Sequence, residues 1–276
     1  MKITQLRNAT IIVETGNYRI LVDPMLAPKG AIPALKYATR NRRRNPLVDL
    51  PSGSSEQLKN VTHCLITHCQ KGHFDHLDRA AVKWLRTHNI PVFCMQEDAE
   101  FLSKKGLQVH PINEQLTQGF LSGSITPIPC LHGKGLVGRM MSHGHGYLLE
   151  LPDEPTLYIT GDTILTEPVK KCVLEKKPEI IVMPAGGARF DIGDDIIMGA
   201  KDVSTITRMS AGSVVANHLE ALDHCPVTRK ELEDLRKREG FQGRLLIPLD
   251  GETIQFPHTL TTQAACHQDA QTSMPT

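Results

Sequence analysis

THCQKGHFDHLD, residues 67–78, sets His68, His73, Asp75 and His76 within nine positions, directly after the strand-like run Val61-Thr62-His63-Cys64-Leu65-Ile66. Imidazoles and carboxylates are the groups that hold divalent cations, and the end of a strand is a rigid place from which to offer them. Three more candidates follow in the same setting: His132 after SITPIPCL, Asp162 after TLYITG, and His218 after SVVAN. A single histidine behind a strand carries little weight, because most such residues have an ordinary surface or core role. Six or seven in this order carry much more.

Outward from that stretch, the front of the chain reads as β: LRNATIIVE and YRILVDP are strands, joined through the turn-prone Thr15-Gly16-Asn17. A polar excursion from Met25 to about Leu58, containing TRNRRRNP and PSGSS, reads as a long loop or lid over one face. Behind the quoted stretch, Leu77 to His88 has helical spacing, with Ala80, Ala81, Trp84 and Leu85 on one side. IPVFC, LQVHPI, SITPIPC, GYLLEL and TLYIT are strand candidates. Helices are expected from about Glu167 to Lys177, from about Gly199 to Ser210, and across TRKELEDLRKREG, leading into the strands EIIVMP, SVVANH and RLLIP. Hairpins first and strand–helix alternation later fit two packed sheets with helices on their outer faces. Residues 257–276 are polar and aperiodic and are expected to be a flexible tail.

A chain of 276 residues with 40% hydrophobic content can bury a substantial core. Its 31 basic and 30 acidic residues leave a net charge of +1, which supplies no general field for nucleic acid or an anionic membrane. No stretch approaches the roughly 20 apolar residues that span a bilayer, and the start lacks a cleavage-site pattern, so a cytoplasmic protein is expected. Seven scattered cysteines, without a CxxC pair, fit reduced intracellular thiols.

The order of a dense His/Asp cluster, a lone His, GDT and a further lone His resembles the metallo-β-lactamase superfamily. RNATIIVE, RILVDPMLAPKG, RNPLVDLP, PVFCMQEDA, YITGDT, MPAGGARF, HLEALDHC and LIPLDGET together resemble its branch of ascorbate phosphate lactonases and relatives, across residues 1–256. The resemblance implies an α/β fold, an αββα four-layer sandwich forming one hydrolase domain over 1–256, with 25–58 as the loop or lid. The superfamily pattern is THxHxDH, and the quoted stretch meets it in three registers. Laid ungapped from Thr67, it puts Gln70 and Gly72 where His and Asp belong; laid from the far end, it puts Lys71 at the first position, and an ammonium is no ligand. Omitting Cys69-Gln70-Lys71 leaves a full motif and keeps Leu77-Asp78-Arg79-Ala80-Ala81 in the frame the branch uses. That register is preferred, with a damaged site as the alternative.

By resemblance, His68, His73 and His132 would hold one cation, and Asp75, His76 and His218 the other, with Asp162 bridging. Two such ions, about 3.5–4 Å apart, deprotonate a shared water near neutral pH. Zinc is the expected metal and manganese the alternative. Cys69 could stand in for His68 as a softer ligand. Asp75 and His224 are taken as the catalytic groups, His224 as a proton donor or anion contact, and Glu220 as a partner orienting a ligand imidazole. Asn8, Arg189 and the glycines of AGGAR are candidates for binding an anionic substrate. SHGHG, with His143 and His145, is read as a hairpin turn rather than a metal pair. The expected activity is hydrolysis of a small anionic or phosphorylated ester or lactone. A phosphodiesterase acting on nucleotide, nucleic acid or phospholipid is the alternative, as is a metabolite-binding protein with a degenerate site. Met25-Leu26, Ile32-Pro33-Ala34-Leu35 and Tyr37 could form an apolar patch in the phospholipid case. The partner is a small molecule and not nucleic acid. Relatives often assemble into homo-oligomers, but no interface stripe marks one here.

Overall fold

In the computed structural model, residues 1–38, 42–70, 73–114, 116–134, 138, 144–191 and 193–257 are described. The first departure from expectation lies in LRNATIIVE, which is not one strand. Strand β1 (Lys2–Arg7) ends and β2 (Thr10–Thr15) begins across a reversal at Asn8, whose φ of 56° is one that asparagine tolerates better than most residues. The expected turn at Thr15-Gly16-Asn17 then leads into β3 (Tyr18–Val22), paired antiparallel to β2.

The remaining elements are α1 (Ser54–Lys59), β4 (His63–Leu65), α2 (Arg79–Thr87), β5 (Pro91–Met95), α3 (Gln96–Ser103), β6 (Gln108–Ile112), β7 (Gln118–Phe120), β8 (Gly123–Pro129), β9 (His145–Glu150) and β10 (Leu157–Ile159). There follow α4 (Glu167–Lys171), continued by a π turn over Cys172–Lys176, then β11 (Ile180–Pro184), α5 (Ala200–Met209), β12 (Ser213–Asn217), α6 (Arg229–Glu239), β13 (Leu245–Leu246) and β14 (Thr253–Gln255). The sequence reading missed α3, the short α1 within the lid region, and the edge strands β7 and β14.

Two seven-stranded sheets result, ordered β14-β1-β2-β3-β4-β5-β6 and β13-β12-β11-β10-β9-β8-β7. In each, an antiparallel half meets a parallel half, at β3–β4 and at β10–β11. Period-two alternation sorts side chains between the layers. Ile11 and Val13 join Leu65, Tyr147, Leu149, Val182 and Val215 in the core between the sheets. Ile12, Leu21 and Cys64 face outward onto Ala81 and Leu85 of α2 and Leu102 of α3. On the other sheet, Tyr158, Ile181 and Val214 face Val169, Val203, Leu232 and Leu235 of α4, α5 and α6. The four layers are helix, sheet, sheet, helix, as expected. Among the described residues, no helix is long and apolar enough to cross a membrane.

The segment from residue 25 to 58 is tied down. The fully buried Arg7 guanidinium donates to the carbonyls of Met25 (2.6 Å), Ala27 (2.8 Å) and Val48 (3.0 Å). Asp78 caps α2 by accepting from Ala81 N and accepts from Ala27 N with its other oxygen. Met25, Ala27 and Ile32 pack on Ala221 and Leu222. Met25, Ile32 and Ala34 are thus interior residues, not parts of a membrane-facing patch; of that set Tyr37 is well exposed. Arg44 spends its guanidinium on the carbonyls of Gly30 and Ala31. Arg40 and Asn41 of the basic run lie outside the described residues, as do Lys71, Gly72, His143 and residues 258–276 of the expected tail.

Candidate metal centre

The turns after β4, β8, β10 and β12 converge on one edge of the sandwich. There the structure brings together two adjoining groups of buried side chains: His68, His73 and His132, and Asp75, His76, Asp162 and His218. Within each group the candidate ligand atoms lie within 4.8 Å of one another. Asp162 joins the two, its Oδ2 lying 3.1 Å from His76 Nε2, 3.3 Å from His218 Nε2 and 3.6 Å from His132 Nε2. Asp75 Oδ2 lies 3.3 Å from His218 Nε2 and 3.4 Å from His76 Nε2. All seven residues expected to bind metal meet here, in the register that omits three residues between His68 and His73.

Each imidazole is oriented by a bond at its other nitrogen. His76 Nδ1 meets Asp23 Oδ2 at 2.9 Å, His132 Nδ1 donates to Ile196 O at 2.9 Å, and His73 Nδ1 donates to Gln70 O. His68 Nδ1 lies 3.0 Å from Thr67 Oγ1, and His218 Nδ1 lies 3.5 Å from Cys225 Sγ. These contacts leave the Nε2 atoms for the centre of the cluster, the arrangement by which proteins fix a ligand imidazole. The buried Nε2 atoms of His68 and His73 meet no hydrogen-bond partner. Burying a polar nitrogen without a partner is unfavourable, and a cation at that point would satisfy both. The mixed nitrogen and oxygen donor set suits zinc or manganese.

The electrostatics divide the site in two. On one side, burial, reinforced by His76 and His73, holds His68 well below the ordinary histidine pKa. Burial likewise lowers His132 to about 4 despite Asp162. Both are neutral near pH 7 and present lone pairs. On the other side, burial disfavours every charge, yet mutual attraction outweighs it. Asp162, Asp75 and Asp23 raise His76 well above its ordinary value, and Asp162 and Cys225 do the same for His218. Burial likewise pushes Asp75 and Asp162 up, but the two imidazoles hold both carboxyls well below the usual range. Positive charge is what this half demands; a cation could replace those protons.

Backbone strain gathers at the same edge. Asn8, Asp23 and His218 all have φ between 45° and 58°. His218 is held there by donating its N–H to Asn8 O at 2.9 Å, with Asn8 Nδ2 lying 3.3 Å from His218 Nε2. Gly161, beside Asp162, has φ 63°, and a Cβ there would meet His145 O at 3.0 Å.

Several expectations need correction. Cys69 is not among the clustered donors: it packs in the core under α2 and α3. Glu220 orients no imidazole, because its carboxylate takes the Arg229 backbone N–H and guanidinium at the start of α6. Three backbone N–H groups of AGGAR are taken within the protein, Ala185 N by Asn217 O, Gly187 N by Met198 O and Arg189 N by His224 O, so of its two glycines Gly187 has no N–H to offer an anion. The Arg189 side chain is exposed. His145 opens β9 rather than sitting in a tight turn, and its Nε2 lies 3.4 Å from Glu114. His224 is buried, stacks on Phe190 (centroids 6.1 Å) and lies 4.0 Å from Cys225 Sγ through Nδ1. Sequence reasoning assigned no role to Asp23, Gln70 or Cys225. Only Asp23 had a legible signal, an acid ending the apolar run RILVD ahead of a proline.

The chain is similar to proteins already described. A family model, the metallo-beta-lactamase superfamily, matches residues 4–200. UPF0173 protein YddR of Bacillus subtilis (strain 168) is 34% identical over 260 residues, spanning 93% of this chain and 100% of that protein. A UPF0173 metal-dependent hydrolase of Koribacter versatilis (strain Ellin345) is 30% identical over 192 residues, covering 67% of this chain and 72% of that one. The crystal structure of isothiocyanate hydrolase from Delia radicum gut bacteria superposes with a TM-score of 0.84 at 33% identity, covering 93% of this chain and 99% of that one. The two-sheet architecture, the length of these matches and the gathered histidines and aspartates agree: the chain belongs to the metallo-beta-lactamase superfamily, among the UPF0173 metal-dependent hydrolases.

Proposed function

We propose that this hydrolase holds two divalent cations and attacks a small molecule at an electrophilic carbon, with isothiocyanates as the leading substrate class. The observation that carries the two-cation reading is Asp162, whose one carboxylate oxygen adjoins imidazoles of both groups. His68, His73 and His132 would hold one cation and Asp75, His76 and His218 the other, with Asp162 between. Bound zinc, or manganese as the alternative, would supply a water acidic enough to act as a nucleophile at neutral pH and a Lewis acid for the polarised substrate atom. The substrate class is supported by the 33% identical isothiocyanate hydrolase. The balanced reaction is R–N=C=S + H2O → R–NH2 + O=C=S.

The chain's own residues divide the remaining work. Asp75, ionised beside His218 and His76, orients the nucleophilic water. Burial opposes a charge on His224, but Cys225 and Asp75 outweigh it and raise its pKa, so the ring can hold a proton for the leaving nitrogen. Phe190, stacked on His224 and grouped with Ala188, Ile196 and Ile197, offers an apolar surface for the substituent R.

Ester or lactone opening is the second reading. It uses the same centre, and the exposed Arg189 at the His224 segment could meet an anionic or phosphorylated substituent. The test is a panel: benzyl isothiocyanate, a simple and a phosphorylated lactone, and bis(p-nitrophenyl) phosphate. Each is assayed with chelator-stripped protein and after adding back zinc or manganese. Metal-dependent release of benzylamine supports the leading reading. Turnover of the lactones alone moves the protein to the second, turnover of the diester alone makes it a phosphodiesterase, and no metal-dependent turnover overturns the carbon-electrophile reading. The site as read is suited to a small molecule, and a cytoplasmic location is proposed with it.

A further inference from the structure

The segment between His68 and His73 is longer than two ligands on one turn require, and its described residues are anchored to a single point. Gln70 Nε2 donates to Asp98 Oδ1 at 2.7 Å and to Glu97 O at 2.8 Å, both in the first turn of α3. The neighbouring Cys69 thiol, buried in the core beneath that helix, hydrogen-bonds the same Asp98 carboxylate, which is itself fully buried. Gln70 also turns its carbonyl back onto His73, accepting from ring Nδ1 at 2.5 Å and from the backbone N–H at 3.3 Å. The His73 ring is thereby aimed with its unpartnered Nε2 toward His68 and His132, whose rings lie 4.4 Å and 5.1 Å away between centroids.

We infer that Gln70 is a positioning residue for the first cation: clamped to Asp98, it fixes the carbonyl that orients His73. This rests on the reading of His68, His73 and His132 as one metal-binding group. Cys69 and Gln70 are then no damage to the motif, because α3 gives both a rigid support. An orienting partner of a ligand imidazole is worth about ten- to a hundredfold in metal affinity. Only one of the two cations should feel its loss.

The experiment titrates cobalt(II) and zinc into metal-free full-length protein, following the cobalt absorption bands and competition with a chromogenic chelator. Gln70→Ala removes the clamp, Gln70→Glu opposes it with a like charge, and Gln70→Lys keeps a donor to Asp98. Circular dichroism and the melting temperature establish that each variant is folded. The inference predicts that Q70A and Q70E weaken one equivalent about tenfold or more, alter its cobalt bands and leave the other equivalent at the unsubstituted affinity, while Q70K recovers the first. Unchanged binding of both equivalents in Q70A overturns it, as does equal weakening of both, or a Q70K variant no better than Q70A. Should the unsubstituted protein bind fewer than two equivalents, the two-cation reading itself fails and the inference falls with it.

Discussion

Asp162→Asn is the most incisive perturbation of the site, because it keeps the volume of the side chain while removing its charge. In the absence of metal, the buried carboxylate faces three Nε2 atoms at 3.1, 3.3 and 3.6 Å. Breaking a buried ion pair by removing one partner costs about 3–5 kcal/mol. The lower end applies, since the imidazoles of His76 and His218 can release a proton where a guanidinium could not. About 3 kcal/mol corresponds to a fall of roughly 6–12 °C in the melting temperature of a domain this large. The pH dependence carries a sign. The raised pKa values of His76 and His218 make their contribution complete below about 6.5 and lost as pH rises through the folded values. The lowered values of Asp75 and Asp162 make theirs complete above about 3.8 and lost as pH falls through the folded values. The difference between the metal-free unsubstituted protein and the Asp162→Asn variant should therefore peak between about pH 4 and 6.5 and shrink in alkali. Differential scanning calorimetry of chelator-stripped protein across pH 4–9 measures it, and elemental analysis after reloading counts the ions. A variant that melts within about 2 °C of the unsubstituted protein throughout that window, or still retains two ions, would refute the bridging role of Asp162.

Other residues test neighbouring parts of the account. Asp23→Asn should reduce metal affinity by about ten- to a hundredfold, since it takes the charge from the group that orients His76 at 2.9 Å; chelator competition reads this directly. Arg7→Met strands three loop carbonyls at about 1 kcal/mol or more each, so amide exchange across residues 25–48 should accelerate well before global unfolding. Arg189→Ala should change kcat/KM for an uncharged isothiocyanate by less than about twofold, whereas a lactonase acting on a phosphorylated substrate would lose tenfold or more in KM, as for a charged hydrogen bond. His224→Gln should lower kcat by about a hundredfold for substrates with a poor leaving group and much less for activated ones, a split visible in a leaving-group series.

The parts of this molecule written in local chemistry were legible. The strands behind His68, His132, Asp162 and His218 are short apolar runs, and in the second sheet β8, β10 and β12 run in one direction, which brings their ends to one edge. What escaped was set by contacts distant in the chain. Helix α3 has weak amphipathic spacing, and its place is set by the hydrogen bonds of Asp98 with Cys69 and Gln70, which are distant in the chain. Glu220 resembles a partner for His218 two positions away, but its positive φ turns it toward Arg229. Ile196, which orients His132 through a backbone carbonyl, has no side-chain signature at all. The reversal at Asn8 was hidden inside a strand-like stretch because one residue in the left-handed region is enough to break a strand.

The same distinction bears on substrate choice. The lid region is fastened to the site wall by carboxylates 150 to 190 positions away: Asp223 accepts from Leu35 N and Lys36 N and from Asn45 Nδ2, and Asp191 from Tyr37 N and Ala38 N. Asp223 adjoins His224, and Asp191 adjoins Phe190; these two rings stack, and His224 shares Cys225 Sγ with His218 of the clustered side chains. Lid and wall therefore form one hydrogen-bonded unit, and a substitution in either shifts the other. Under the proposed function, the clustered histidines and aspartates would set what bond can be attacked, and this unit would set which molecule reaches them. Exchanging residues 30–38 alone for those of a relative should then impair turnover of every substrate. Exchanging them together with residues 189–191 and 223–224 should transfer the relative's substrate preference. A transfer achieved by the lid segment alone would show that the wall and the lid act independently.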